Sequence, residues 1–188
     1  TVSINIILSY KEDSSEQVCP LYIREEYMTE KIISAMIDYY KGDPRRINHF
    51  MKVYAFAKNI GMEEELDSRT QNILETAAVV HDIGIKLSEE KYNSSSGKYQ
   101  EIEGPGEAEK LLKRLGVEDD VIERVSYLVG HHHTYGNING MDHQILVEAD
   151  FIVNIYEDNE SRDAVMNIKN KIFKTKTGKK YIDDMFLS

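Results

Sequence analysis

The chain has 188 residues, a single cysteine, 41% apolar and 30% charged residues, and a formal net charge of −10. Such a length can bury one real core without disulfides or structural metal. The acidic balance excludes duplex nucleic acid as an expected partner, because that binding relies on a basic face, and no stretch nears the roughly 18 consecutive apolar residues of a membrane span.

Residues 1–22 are expected to form a leader, loosely attached to a helical domain over 23–188. Its apolar run (Ile4, Ile6, Ile7, Leu8) has no basic residues before it and no small-residue cleavage site after it, so it does not read as a signal peptide. The lone Cys19 reads as a small, semi-buried residue, and a reducing cytoplasm is the expected compartment.

From Arg24 the pattern turns helical, with Met28, Ile32, Met36 and Tyr39 at three- and four-residue steps and Gly42 as a stop. Asp43-Pro44 supplies a cap and a first-turn proline for a second helix, expected to end at Gly61. A third spans about Ser68 to Ile83, and its Ala77-Ala78-Val79-Val80 stretch is apolar all round, which predicts a central position. Lys86 to Glu103 reads as a long polar loop that sets specificity. Further helices are expected after Gly104-Pro105, from about Glu118, from about Met141 to Glu157, and from about Ser161. The basic segment Lys174 to Lys180 reads as a solvated tail or as a segment folded back toward phosphates. Helical periods, three prolines and no convincing strand series predict an all-α single domain.

The informative pair is His81-Asp82, at the end of the most apolar helix. A charged carboxylate avoids such a place unless a cation compensates it. His49 shares a stripe with Val53, Phe56 and Ile60, so it faces inward, and Asp150 sits among Leu146, Val147 and Val153. Imidazole and carboxylate together suit Mn, Fe, Co or Zn, with Mg admissible, as one or two divalent ions.

In that order, His49, then His81-Asp82, then Asp150 resembles the H…HD…D signature of the HD-domain superfamily, over about Arg45 to Asn154. The resemblance implies an orthogonal helical bundle with a mono- or dinuclear metal site at its core (about 45–154) and a C-terminal helical extension (155–188). It also implies hydrolysis of a phosphomonoester or phosphoanhydride, the substrate being a nucleotide or another small phosphate. In dinuclear relatives one extra histidine stands before a Gly-Pro-x-x-Ala helix start and another before a Thr; here those places hold Glu103 and the run His131-His132-His133-Thr134. Glu103, His132 and His133 are therefore the candidates for a second ion, and spacing does not decide among the three histidines. Asp82 would bridge two ions. Asp82, His133 and Lys86 are the catalytic candidates, and Arg45, Arg46, Lys86 and His143 the substrate-binding ones. His143 is either a proton donor or a surface histidine. Two other readings stay open: a di-iron oxygenase on the same scaffold, and a non-catalytic signalling or binding module. A homodimer is also open.

Overall fold

The structure, a computed structural model, describes the chain from Pro20 to Ser188, with side chains from Met28 onward. Cys19 and most of the expected leader lie outside the described residues. The order is α1 (Pro20–Tyr39), α2 (Pro44–Glu63), α3 (Ser68–Val80), α4 (Gly84–Tyr92), α5 (Gly97–Leu115), α6 (Asp119–Val129), α7 (Met141–Glu157), α8 (Arg162–Ile172) and α9 (Lys176–Ile182), closed by a π-helical turn, Asp183–Leu187. Among the described residues there is no strand. No helix among them is long and apolar enough to cross a membrane.

Two helices are central. In α3 every residue from Leu74 to Val80 is buried. In α7 the run Asp142 to Asp150 is buried throughout, and Ile152, Val153 and Ile155 add to it. α2 lies against both, α6 against α3, and α5 bridges α4 and α6. Ile32 and Met36 of α1, Phe50 and Val53 of α2, Leu112 of α5, and Leu128 of α6 close the core around them. Each such fully buried side chain contributes about 1.5–3 kcal/mol relative to exposure.

The helix starts follow the expected chemistry. Asp43 accepts from the Arg46 backbone N–H at 3.1 Å with Pro44 in the first turn, Asp67 caps α3 through the N–H groups of Arg69 and Thr70, and Ser161 caps α8.

Several boundaries depart from the expectations. α1 begins at Pro20, earlier than Arg24. α2 runs through Gly61 to Glu63. There Gly61 faces α3, where a Cβ would lie 3.0 Å from Leu74 Cδ2, so it serves close packing and not termination. α3 ends at Val80, which leaves His81 and Asp82 in a turn.

The expected loop Lys86–Glu103 is mostly helix, divided between α4 and α5 and broken only around Asn93, whose φ of 51° ends α4. Its apolar periodicity is weak because α4 buries only Gly84, Ile85 and Ser88. A Cβ on Gly84 would sit 2.7 Å from the Gln100 carbonyl and 2.8 Å from the Gly104 nitrogen, so glycine lets α4 and α5 touch backbone to backbone. Pro105 lies inside α5, not at its start.

The basic segment Lys174–Lys180 is no loose tail. Buried Glu148 of α7 accepts from the backbone N–H of Lys174 (2.6 Å) and Thr175 (2.9 Å), from the Thr175 hydroxyl, and from Gln144 Nε2 (2.7 Å). Thr175 in turn caps α9 through the Gly178 N–H. Lys174, Lys176, Lys179 and Lys180 are exposed, and none lines the cleft at His49, Asp82 and Asp150.

Candidate metal centre

Two helices and two turns meet here. α2 brings His49 and α7 brings Asp150, the turn after α3 brings His81 and Asp82, and the turn after α6 brings His132 and His133. Two sets of potential ligand atoms result: His49, His81 and Asp150, and beside them Asp82, His132 and His133, with the atoms of each set within 4.8 Å of one another.

In the first set His49 Nε2 lies 3.3 Å from His81 Nε2 and 3.2 Å from Asp150 Oδ1. Asp82 stands between the sets. Its Oδ2 is 3.5 Å from both His49 Nε2 and His81 Nε2, and its Oδ1 is 3.5 Å from His132 Nε2.

Hydrogen bonds on the far sides of the rings fix their tautomers. His81 Nδ1–H donates to the Ala78 carbonyl at 2.8 Å, His132 Nδ1–H to the Val129 carbonyl at 2.8 Å, and His49 Nδ1–H to Glu157 at 3.1 Å. Carbonyls and carboxylates only accept, so each Nδ1 carries a proton and each Nε2 faces inward, where the neutral ring presents its lone pair. His132 Nε2 is fully buried and has no hydrogen-bond partner. An orphaned acceptor of that kind costs about 1–3 kcal/mol. A cation removes the penalty, so these residues fit a divalent metal.

The electrostatics agree. Burial alone would lower the His49 pKa, but the carboxylates of Asp150, Asp82 and Glu157 raise it to about 9. Burial would raise the Asp82 and Asp150 carboxyls, yet the facing imidazoles hold both below the usual carboxylate range. His133 behaves oppositely: burial, aided by His132, pushes it down to about 4. The centre holds negative charge that a proton on His49 compensates in the metal-free state.

Surrounding contacts hold the centre in place. The Tyr40 hydroxyl donates to the Asp82 carbonyl at 2.7 Å, tying α1 to the turn. Glu157 accepts from both His49 and Lys52 Nζ, the latter at 2.5 Å. Glu101 accepts from the His133 N–H at 3.0 Å and from the Thr134 hydroxyl at 2.9 Å, while Gln100 Oε1 lies 3.4 Å from His133 Nε2. None of these four residues stands out in the sequence taken singly. Asp150, Asn154 and Glu157, at steps of four and three along the apolar α7, do form a polar stripe that could have revealed Glu157.

Other candidates lie elsewhere. The Glu103 carboxylate accepts from Lys91 (2.6 Å) and Tyr92 (2.7 Å) and belongs to neither set. Because α5 starts at Gly97, Gln100 and Glu101 face the His133 turn, and Glu103 is rotated roughly 200° from Glu101. His131 stacks on Tyr127, with ring centroids 4.1 Å apart, and its Nδ1–H donates to the Tyr127 carbonyl. His143 is buried, neither on the surface nor at the cleft. Its Nε2–H donates to the His131 carbonyl at 3.0 Å and its Nδ1 accepts from the Asn139 N–H, so it braces the turn. Lys86 is exposed, lies 5.2 Å from the Tyr39 ring centroid and does not line the cleft. Arg45 and Arg46 do line it, but Arg46 is held by Asp43 (2.9 Å) and Glu89 (2.6 Å).

Fold and site together define an all-helical protein that gathers histidines and carboxylates from separate elements around a place for cations. The HD domain family model matches residues 46–174, and the chain belongs to that family. The crystal structure of a predicted HD superfamily hydrolase from an uncultured Thermotogales bacterium is similar, with a TM-score of 0.62, 23% identity, and 84% of each chain covered. No curated protein matches the chain.

Proposed function

We propose that this protein is a metal-dependent phosphohydrolase acting on a small phosphate compound. His49, His81, Asp82 and Asp150 hold one divalent ion, and Asp82, His132 and His133 offer a second position. The observation that carries the reading is the convergence of inward lone pairs, above all the buried and unpartnered Nε2 of His132 beside Asp82. Neutral imidazoles with carboxylates suit Mn, Fe, Co or Zn. When bound, such an ion acidifies water and neutralises phosphoryl oxygens. The chain itself orients the donors: Glu157 holds His49, Tyr40 holds the backbone of Asp82, and Glu101 holds the turn at His133. Asp82 offers one carboxylate oxygen to each set, which suits it to bridge. Likeness to a predicted hydrolase of the same superfamily supports the reading.

The test is phosphate release from a panel of phosphomonoesters and phosphoanhydrides by protein loaded with Mn, Fe, Co or Zn, with elemental analysis of the purified chain. Asp82→Ala is expected to abolish release and bound metal while leaving the helical circular dichroism intact, because Asp82 sits in a turn. Retained turnover in that variant would remove the mechanism.

A further inference from the structure

The cleft over the two ligand sets narrows the choice of substrate, on the premise that the phosphohydrolase reading holds. It encloses about 450 Å³, and among the described residues its lining is mostly polar, with Ile85 the one aliphatic side chain and no Phe or Tyr. Proteins commonly hold a nucleobase on an aromatic or guanidinium face, and the described lining offers for this only the His49 and His133 rings, turned to the ligand sets, and the guanidiniums of Arg45 and Arg46. Tyr135, the ring in contact with His133, packs on Phe151 with its centroid 5.0 Å away, turns its hydroxyl to His133 Nδ1, and is absent from the lining. What the lining offers instead is hydrogen-bonding groups. The Ser95 hydroxyl and the Asp158 carboxylate have no side-chain partner among the described residues, and Asn154 spends its amide on Asp150 and keeps its oxygen free. Such groups match the hydroxyls of an aliphatic body.

Charge points the same way. Arg46 is paired with Asp43 and Glu89. Arg45, one helical turn before His49, lines the cleft and makes no hydrogen bond, ion pair or ring contact with any described residue. A guanidinium fork grips phosphate oxygens in pairs. One free fork, facing the carboxylates of Asp43, Glu89, Glu157 and Asp158 in the same lining, suits one phosphate. Beyond the metal ions, a second or third phosphoryl group would find no side-chain cation in the described lining except Arg46, which carboxylates already hold.

We propose that Arg45 anchors the phosphate of a small, non-aromatic, hydroxylated phosphomonoester, a sugar or polyol monophosphate, and that nucleotides and phosphoanhydrides are poor substrates. In the reaction, a water oxygen bonds to phosphorus as the bond between phosphorus and the alcohol oxygen breaks. A proton from the water ends on that alcohol, and inorganic phosphate is released.

The test compares the metal-loaded full chain on sugar and polyol monophosphates and on nucleoside mono-, di- and triphosphates. The expected kcat/KM for the first group is at least about tenfold higher, the scale of one missing stacking contact. Arg45→Ala should raise KM about tenfold with kcat nearly unchanged, the mark of lost uniform binding. It should weaken binding of inorganic phosphate in calorimetry by a similar factor, with Arg45→Lys recovering part of both. The side chain is exposed, so the variant should keep its melting temperature. Nucleotides preferred over sugar phosphates, or KM and phosphate affinity unmoved in Arg45→Ala, would overturn this inference and leave the hydrolase reading standing. No release from any phosphate compound with any metal would overturn both.

Discussion

The two ligand sets are neighbours but are built differently. In the first, His49 and Asp150 project from long helices and His81 from the end of a third, and both imidazoles have their Nδ1–H groups tied on the outer side. The second depends on a turn after α6, and only His132 has its ring committed in the same way. His133 has neighbours at both ring nitrogens, Tyr135 at 3.3 Å and Gln100 at 3.4 Å, so it must give one up to hold a cation. A site with two of its three ligands inside long helices is preorganised; one whose histidines both sit on a turn leans on hydrogen bonds from other elements, here Glu101 and His143.

The comparison breaks first under substitution of the histidines. His49→Ala should remove most metal binding, at least about a hundredfold in Mn affinity by calorimetry. His133→Ala should cost nearer tenfold and affect only a second equivalent. Equal losses would show that the two sets do not differ as described. Next is Glu157→Gln, which keeps an acceptor for His49 but removes its charge. About tenfold weaker metal binding is expected, with a lower His49 pKa in NMR titration of the metal-free protein, and an unmoved His49 would dismiss Glu157 as its orienting group.

The pH response also separates the sets. The folded pKa of His49, about 9, lies above its unfolded value, so its stabilisation is complete below the ordinary histidine pKa and is lost as pH rises through about 9. The folded pKa of His133, about 4, lies below its unfolded value, so its neutral form supports folding above the ordinary pKa and that support is lost as pH falls toward about 4. Metal-free protein should therefore melt lower on both sides, and saturating Mn should flatten the alkaline limb; a limb unchanged by Mn would argue that His49 binds no ion. The smallest effect belongs to Lys86→Ala, expected to leave turnover within about twofold because the side chain is exposed over Tyr39 and outside the cleft.

How much of this was legible depended on periodicity. His49 lies on the buried stripe of α2 and Asp150 inside the strongly apolar α7, where a polar residue facing inward stands out, and α7 runs over the expected span. The α4–α5 region hid its structure because close backbone contact at Gly84 and Gly104 replaces large apolar side chains. With the helix start misplaced, Glu103 occupied the expected position while Gln100 and Glu101 do the facing. Tyr40 acts on a backbone carbonyl 42 residues away, a contact no local pattern announces.

Glu148 gives the carboxyl end of the chain an unexpected weight. The family match stops at residue 174, one residue short of Thr175, whose backbone and hydroxyl close over that carboxylate. A chain trimmed at the family boundary would take both Thr175 donors from a buried carboxylate of α7, two residues from Asp150. The turn leading into α9 thus plugs the bundle, and removing it should be felt at the His and Asp ligand sets.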